Sequence, residues 1–470
     1  MLALNLLLGA LLVEWTCPIE ASLLARSPVN INATILGNSK VAMAWYAGWH
    51  STDFPLSKVS WEKYTHMAYA FGVTSPNPTE ISLVDSDEEL LPQFVKTAHQ
   101  HNVKATLSIG GWTGSRYFST NVGSPQNRST FVKTLVDVVK KYELDGLDID
   151  WEYPNRQGTG CNTINDSDTA NLLSLLQELR KDPVGAKMVL SAATSIQPWN
   201  DTSGTPSTNL SAFAPVFDFI TIMNYAVWGT TSAFAGPNAP LNDTCAAQNN
   251  RVGSAVSAVK AWSAVGIPLD KLVLGVPSYG QSFVVDRNDA GSATALASFP
   301  KFNAKAQHVG DKWDSPGGPD VCGNLVGPSG TYSFKGLMDA AYLNNDGSAK
   351  NGIWFKYDNC SQTPYVYDPQ TQTLVSFDNA DSFAAKGDFI KSTGLKGFAI
   401  WEAAGDYNDT LLDSILFSTA NGNPNKPQPS GESPGSRTQG NSAIDLHSNK
   451  LILLFLTVVP TVLLKFIEQS

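Results

Sequence analysis

The stretch Leu144–Tyr153 constrains the fold of this chain more than any other part of the sequence. Acidic and apolar residues alternate in it with the period of a β-strand, so Asp148, Asp150 and Glu152 project from one face. The other face is apolar, which indicates a strand covered on both sides, as in a parallel sheet flanked by helices. The alternatives are an exposed acidic edge strand and a Ca²⁺ site, and this straight, half-apolar pattern favours neither.

Three carboxylates in one buried row repel one another, and they cannot all stay ionised. At least one of them should therefore keep its proton near neutral pH, as a general acid must. We interpret this acidic strand as the catalytic element of the chain.

Apolar, β-branched runs alternate with helical patterns along most of the sequence, which predicts a barrel of βα repeats. Active sites of such barrels lie at the carboxyl ends of the strands. Besides the acidic strand, the predicted strands are Val41–Tyr46, His66–Phe71, Lys104–Ile109, Lys187–Ala193, Phe217–Met223, Lys271–Val276 and Lys396–Ile400.

The spacing Asp145-x-x-Asp148-x-Asp150-x-Glu152 resembles the signature of the family 18 glycoside hydrolases, the chitinase-like (β/α)8 barrels. Ser108-Ile109-Gly110-Gly111 and Met223-Asn224-Tyr225-Ala226 resemble two further motifs of that family. The resemblance implies an α/β protein, a (β/α)8 TIM barrel over residues 22–281 and 377–420. A small α+β insertion, residues 282–376, is expected between strands 7 and 8.

The resemblance also implies a mechanism that uses the substrate's own 2-acetamido group as nucleophile. Glu152 would act as the acid and then as the base, and Asp150 would hold the acetamido N–H. Asp148 would share a proton with Asp150, and Tyr225 would orient the acetamido oxygen. The implied substrate is chitin or its β-1,4-linked N-acetylglucosamine oligosaccharides, with no metal or organic cofactor.

Sugar faces stack on aromatic rings, so aromatic residues at strand ends are candidates for the substrate groove. We expect Trp112, Trp228 and Trp401 in the groove, whereas Trp45 and Trp262 are predicted core residues. The full predicted substrate-binding set is Tyr46, Phe71, Gly111, Trp112, Tyr153, Met223, Asn224, Ala226, Trp228, Tyr279 and Trp401.

Ala226 departs from the family motif, which has an aspartate at this position. Gln281 stands where related sequences often carry arginine, and we find no recognisable carbohydrate-binding module. A second hypothesis is therefore a catalytically weak chitin-binding lectin on the same barrel. A third is an endo-β-N-acetylglucosaminidase that releases N-glycans.

The chain begins with an apolar run of secretory length, and residues 1–21 are a predicted signal peptide, although its first residues carry no Lys or Arg.

Removal of the signal peptide would leave four cysteines, which allow three disulfide pairings. They are Cys161, Cys245, Cys322 and Cys360. We favour Cys161–Cys245 and Cys322–Cys360, because each pair lies within one structural region. Predicted glycosylation sites are Asn32, Asn127, Asn165, Asn200, Asn209, Asn242, Asn359 and Asn408.

The composition changes after the barrel. Residues 421–443 form a predicted linker rich in Pro, Gly and Ser. Residues 444–470 follow as a hydrophobic tail, and the pattern is typical of a GPI signal with attachment at Asn441. An inserted tail is the alternative. We therefore expect a secreted or cell-surface protein.

Its formal net charge of -10 and pI near 5.1 argue against nucleic acid as a partner. They argue equally against binding to an anionic membrane surface, so we expect membrane contact only through the anchor. We also expect a monomer.

Overall fold

The computed structural model describes residues 32–37 and 40–422. Its centre is a ring of eight parallel strands in which β1 pairs with β2 on one side and with β8 on the other. The strands are β1 Val41–Ala47, β2 His66–Thr74, β3 Lys104–Gly110, β4 Gly146–Asp150, β5 Val189–Thr194, β6 Phe219–Met223, β7 Leu272–Pro277 and β8 Gly397–Trp401. The predicted (β/α)8 barrel is confirmed.

Helices surround this ring, and several of them begin at a residue whose side chain caps the first turn. Ser124 accepts a hydrogen bond from the Asn127 N–H, with Pro125 at the first helical position, and so starts the longest helix. The α-helices are Leu91–Gln100, Gly111–Gly114, Phe118–Val122, Pro125–Tyr142, Asp168–Lys181, Ala255–Ala264, Arg287–Ala290, Phe334–Asp339, Ala380–Thr393 and Thr410–Asn421. Short 3-10 turns are Ala33–Leu36, Gly48–His50, Leu56–Lys58, Trp61–Lys63, Gly185–Lys187, Ser211–Phe213, Gln248–Asn250, Leu269–Lys271, Ala304–Ala306 and Ala403–Gly405.

The two faces of β1 contribute to two separate cores, because successive side chains on a strand point to opposite sides. On β1, Trp45 points into the barrel and packs among small residues of neighbouring strands. Tyr46 points outward and packs against Phe94 of the surrounding helix layer. The outer core is the larger of the two, and it also contains Trp262, which is fully buried. The predicted core positions of Trp45 and Trp262 are confirmed.

An antiparallel sheet is inserted between β7 and β8. Its strands, in spatial order, are Thr331–Ser333, Tyr279–Val284, Thr373–Ser376, Thr363–Asp368 and Trp354–Asp358. The sheet begins at Tyr279, before the expected boundary at residue 282, because the chain runs from β7 almost directly into the strand Tyr279–Val284. Shorter paired segments are Ile81–Ser82 with β2, Gly291–Ser292 with Ala295–Leu296, and Gly318–Pro319 with Leu325–Val326.

Several predicted segments lie outside the described residues: the signal peptide, nearly all of the linker, Asn441 and the hydrophobic tail. Among the helices of residues 32–37 and 40–422, none has the length and apolar character needed to cross a bilayer. Of the predicted glycosylation sites, Asn200 is buried, and its side-chain amide donates to the carbonyls of Asn155 and Gly204. The folded chain therefore does not present Asn200 to solvent.

Candidate active site

The carboxyl ends of the barrel strands open into a cleft of about 920 Å³. Most of its lining residues come from the ends of β2, β3, β4, β6 and β8 or from the loops that follow them. They are Trp49, Phe71, Val73, Asp85, Ser86, Gly110, Trp112, Thr113, Asp150, Glu152, Tyr153, Ser195, Ile196, Met223, Tyr225, Ala226, Val227, Tyr279 and Trp401. The structure thus brings together most of the residues that the sequence placed in the groove.

Asp148 lies beneath this cleft, fully buried inside the barrel. Its two carboxylate oxygens accept hydrogen bonds from the Trp45 indole at 3.0 Å, from Ser108 at 2.8 Å and from Ser191 at 2.7 Å. Burial raises the pKa of Asp148, and these three donors act in the opposite direction. Asp148 is therefore a fixed anchor of the acidic row, and its predicted proton sharing with Asp150 remains a prediction.

Asp150 is the next carboxylate along β4 and lines the cleft. Burial raises its pKa well above the usual range, and the neighbouring carboxylates of Glu152 and Asp148 add to this shift. Its Oδ1 atom is buried and has no hydrogen-bond partner in the protein. A buried acceptor of this kind is costly to leave unpaired, so Asp150 is suited to receive a donor from a bound ligand.

Glu152 stands two residues beyond the end of β4 and is almost fully buried at the cleft. Burial raises the pKa of Glu152 to about 7, while a hydrogen bond from Tyr153 and the positive charge of Arg156 act in the opposite direction. A carboxyl group with this pKa keeps its proton near neutral pH and can donate it. The predicted retention of a proton in the acidic row agrees with these shifts, with burial as its first cause.

The backbone around Glu152 is held by the loop that follows β3. Ser115 donates its hydroxyl to the Asp150 carbonyl at 2.9 Å and accepts the Glu152 N–H at 3.0 Å. Gly110 makes this approach possible, because its φ of 111° is left-handed and a Cβ there would lie 2.1 Å from the Asp150 carbonyl oxygen. Gly110 of the family-like motif therefore helps to position the backbone of Glu152.

Aromatic rings form the floor of the cleft. Phe71 and Trp401 stack with ring centroids 5.4 Å apart, and Trp49 stacks on Phe71 at 6.1 Å. Trp49 and Trp112 are about half exposed, at 46% and 52%. Exposed flat rings next to buried carboxylates make a surface suited to the apolar faces of sugars.

Tyr225 faces the acidic row from β6. Its ring packs edge-on against Tyr279 at 6.1 Å, and burial raises the pKa of its hydroxyl. Ala226 follows with a φ of 51° and donates its N–H to the Asn238 side chain at 3.0 Å. Asn238 is fully buried and also donates to the Tyr279 carbonyl, so it ties two walls of the cleft together.

Three predicted substrate-binding residues lie elsewhere. Tyr46 is in the outer core, where its hydroxyl donates to the Phe54 carbonyl. Asn224 is fully buried and donates to the Pro240 carbonyl. Trp228 is 3% exposed and packs on Phe299 of the insertion. These three predictions were wrong, because strand alternation and the turn at Ala226 direct the side chains away from the cleft.

Gly111 does not line the cleft either. A Cβ at this position would lie 2.9 Å from the Phe71 ring, so Gly111 allows that ring to take its place in the floor. Its contribution to the site is indirect.

The favoured disulfide pairing was also wrong. The structure joins Cys161 to Cys322 and Cys245 to Cys360, with Cα–Cα distances of 5.6 and 5.8 Å. Both bonds connect a barrel loop to the insertion, because the insertion folds back onto the barrel and separates cysteines of the same region.

Several cleft residues were not predicted from the sequence: Trp49, Val73, Asp85, Ser86, Thr113, Ser195, Ile196 and Val227. Trp49 lies three residues beyond the predicted first strand, as Trp112 does beyond the third, so the strand-end argument that favoured Trp112 would have found it. Asn238 and Asn162 support the site from the loops after β6 and β4, where Asn162 donates to the Glu152 carbonyl, and no local pattern marks them. Within residues 32–37 and 40–422 no group of three or more His, Cys, Asp or Glu residues is arranged to hold a metal ion.

Comparison with known proteins agrees with this geometry. Residues 41–406 match the pattern of the family described as "Glycosyl hydrolases family 18". The chain is 50% identical over 396 residues to a "chitinase-like effector" of Moniliophthora roreri, covering 84% of this chain and 96% of that protein. It is 52% identical over 385 residues to a "chitinase-like effector" of Moniliophthora perniciosa, covering 81% and 87%. The crystal structure of chitinase RmChi1 from Rhizomucor miehei matches with a TM-score of 0.73 and 36% identity, covering 80% of this chain and 99% of that one.

Proposed function

Since the chain belongs to family 18 of the glycosyl hydrolases, we propose that it hydrolyses β-1,4-N-acetylglucosamine linkages in chitin. The observation that carries this proposal is the acid pair at the cleft. Glu152 keeps a proton up to about pH 7, and Asp150 beside it presents a buried, unpaired acceptor oxygen. Hydrolysis assisted by the substrate's acetamido group requires a proton donor for the leaving sugar and an acceptor for the acetamido N–H. Glu152 and Asp150 supply these two functions.

Glu152 is the proton donor in this proposal. A bound chain places its glycosidic oxygen against Glu152, which transfers its proton to the leaving sugar as the bond to the anomeric carbon breaks. The ionised carboxylate then takes a proton from water, and that water attacks the anomeric carbon to release the product. The same residue therefore returns to its starting state at the end of each cycle.

Asp150 and Tyr225 act on the acetamido group of the sugar before the cleaved bond. The acetamido oxygen attacks the anomeric carbon, and a positively charged oxazolinium ring forms. Asp150 accepts the acetamido N–H and, once ionised, balances this charge, while the Tyr225 hydroxyl donates to the acetamido oxygen and orients it. The aromatic floor of Phe71 and Trp401 holds the apolar face of the same sugar.

Chitin binding without efficient turnover is the second candidate function. Two observations favour it: Ala226 replaces the aspartate of the family motif, and two close relatives are named chitinase-like effectors. A glycosidase that releases N-glycans is the third candidate.

One experiment separates these candidates. The purified chain is incubated with chitin oligosaccharides and, separately, with a high-mannose glycoprotein, and the products are analysed. Cleavage of the oligosaccharides alone supports the proposal. Tight oligosaccharide binding without cleavage supports the binding protein, and glycan release from the glycoprotein would contradict both.

A further inference from the structure

The lining of the cleft carries negative charge and no positive charge. Three carboxylates line it, those of Asp85, Asp150 and Glu152, and in the part of the chain that the structure describes no lysine, arginine or histidine side chain does so. Arg156 stays outside the lining, with its guanidinium over the Tyr153 ring at 4.2 Å from the centroid. A positively charged group on a ligand would therefore meet carboxylates and no cationic side chain.

Asp85 differs from the other two carboxylates of the cleft. Asp150 and Glu152 are buried and take part in the proposed hydrolysis, whereas Asp85 is exposed and has no part in it. Among the described residues none forms an ion pair or a hydrogen bond with the Asp85 carboxylate. Aspartate is an anion at neutral pH, so Asp85 offers the cleft a negative charge that is open to a ligand.

A tight turn fixes the position of Asp85. Leu83 and Ser86 are buried, and the Ser86 N–H donates to the Leu83 carbonyl at 2.9 Å. Val84 and Asp85 are therefore the two corner residues of the turn, and both are exposed. Of these two, Asp85 is the one that lines the cleft.

The same turn is attached to the aromatic floor. The Ser86 hydroxyl oxygen accepts the Phe71 N–H at 2.8 Å. A Cβ on Gly48 would lie 2.0 Å from the Ser86 carbonyl oxygen, so glycine lets the turn approach the backbone next to Trp49. Asp85 and Trp49 each adjoin this contact in the chain, and both line the cleft. The carboxylate therefore lies on the Trp49 side of the floor.

Trp49 extends the floor beyond the position of the reacting sugar. In the proposed function Phe71 and Trp401 hold that sugar, and Trp49 stacks on Phe71 with its ring 6.4 Å from that of Trp401. About half of Trp49 is exposed, so its ring can take a further sugar of the bound chain. An indole face also attracts cations.

We propose that Asp85 and Trp49 form a subsite for a glucosamine residue, so that the substrate is partially deacetylated chitin. The inference deepens the proposed function and rests on it for the class of ligand. Glucosamine lacks the acetyl group of N-acetylglucosamine, and its free 2-amino group is protonated in mildly acidic solution. This ammonium group pairs with the Asp85 carboxylate, while the apolar face of the sugar lies on the Trp49 ring.

The position of the reacting sugar has the opposite requirement. There the acetamido oxygen attacks the anomeric carbon, so a sugar without the acetyl group cannot form the oxazolinium ring. The cleft therefore selects a pattern of acetylation along the chain. It requires an acetylated sugar over Phe71 and Trp401 and favours a deacetylated sugar over Trp49.

The test uses pentasaccharides that differ in one acetyl group. A Glu152→Gln chain, which does not cleave, is titrated by calorimetry with chitopentaose and with five pentasaccharides that carry glucosamine at one position each. The same series is measured with Asp85→Asn added, since the amide keeps the shape and removes the charge. The matched control is Asp137→Asn, which removes one charge from an exposed position on the outer helix Pro125–Tyr142.

At one position of the series, glucosamine should bind more tightly than N-acetylglucosamine, and Asp85→Asn should reduce this preference by about 5–10-fold. Added salt should weaken it, because the Asp85 carboxylate is exposed. Asp137→Asn should retain the preference, and chitopentaose should bind alike to all three chains. Trp49→Ala should reduce the preference at the same position, which assigns that position to this ring. Thermal unfolding of each variant establishes that it is folded.

Absence of a glucosamine preference at every position, with chitopentaose binding intact, would overturn the subsite. A preference that survives Asp85→Asn, or that Asp137→Asn reduces equally, would overturn it as well. An equal loss of chitopentaose and glucosamine binding in Asp85→Asn would make Asp85 a hydrogen-bond acceptor for neutral sugars and contradict the charge selection. All of these outcomes leave the proposed function standing.

Failure of the proposed function has a different signature. A parent chain that binds chitopentaose without cleaving it would overturn the hydrolysis, while the binding series would still decide the subsite. A Glu152→Gln chain that binds none of the six pentasaccharides would overturn both.

Discussion

The indole N–H of Trp45 donates to the carboxylate of Asp148 at 3.0 Å inside the barrel, and the ring of Trp45 packs edge-on against Trp401, 5.8 Å away. One buried tryptophan therefore connects the anchor of the acidic row to the floor of the cleft. Ser108 and Ser191 complete the set of donors around Asp148. The strand-end side chains are positioned by this interior network.

Asp148→Asn should destabilise the chain by about 1–3 kcal/mol, because Trp45 and Ser108 lose a carboxylate acceptor for a weaker neutral one and the Ser191 hydroxyl must turn from donor to acceptor. Ser191→Ala is the milder comparison, since it removes a single donor and should cost about 1 kcal/mol. Denaturant unfolding of the three proteins checks the order. An Asp148→Asn chain as stable as the parent would show that these donors do not depend on a carboxylate.

The activity should fall on the alkaline side near pH 7, because Glu152 must carry its proton and its pKa is raised to about 7. Arg156 lowers this pKa through its positive charge, so Arg156→Ala should raise the pKa of Glu152 and move the alkaline limb to higher pH. Arg156→Lys keeps the charge and should leave the limb near its original position. Profiles of kcat/KM against pH decide, and a limb that moves to lower pH in Arg156→Ala would contradict this assignment.

Ala226→Asp should raise kcat more than it changes KM, by up to about 10²-fold, because a positioned polar group is restored beside the reacting sugar. A new carboxylate near Glu152 also raises the pKa of Glu152, so the alkaline limb should move upward. The backbone accepts the change, since aspartate is tolerated at the left-handed φ of 51°.

Ala226→Asn is the control for charge at this position. Its amide tolerates the same backbone and offers hydrogen bonds without a negative charge. It should therefore restore part of the rate without moving the pH limb. A parent chain that is already fast, and that neither substitution alters, would show that Ala226 is simply tolerated.

Trp112→Ala and Trp228→Ala should affect different properties. Trp112 is 52% exposed at the cleft, so its loss should weaken oligosaccharide binding and leave stability unchanged. Trp228 is buried against the insertion, and its truncation should cost about 3–5 kcal/mol of unfolding free energy. Calorimetric binding and denaturant unfolding of both variants check the contrast. Weaker oligosaccharide binding by a fully stable Trp228→Ala chain would show that Trp228 contacts the substrate.

The sequence predicted the barrel well, because the buried acidic strand and the alternation of strands with helices are local patterns. The same patterns placed Asp150, Glu152, Tyr225 and Trp401 at the strand ends, where the structure has them in one cleft. The order of the strands around the ring follows from this repeat, since consecutive parallel strands joined by helices lie side by side.

Features that depend on how distant segments meet were not predictable in this way. Trp228 follows a strand end, but the left-handed turn at Ala226 and the bond from the Val227 N–H to the Asn238 carbonyl direct it into the insertion. The cysteines pair across two structural regions because the insertion folds back onto the barrel loops. Neither the direction of the Trp228 side chain nor the cysteine pairing can be recognised from a local sequence pattern.

The central claim, that Glu152 is the proton donor of a chitin-cleaving site, is tested most directly by time-resolved NMR of chitopentaose incubated with the parent and with Glu152→Gln. The parent should release products that begin as the β-anomer, because two successive displacements retain the configuration. Glu152→Gln should bind the sugar but cleave it at least about 10²–10⁴-fold more slowly, since its amide cannot donate the proton. Cleavage by Glu152→Gln within a few-fold of the parent, or an initial α-anomer, would contradict the account.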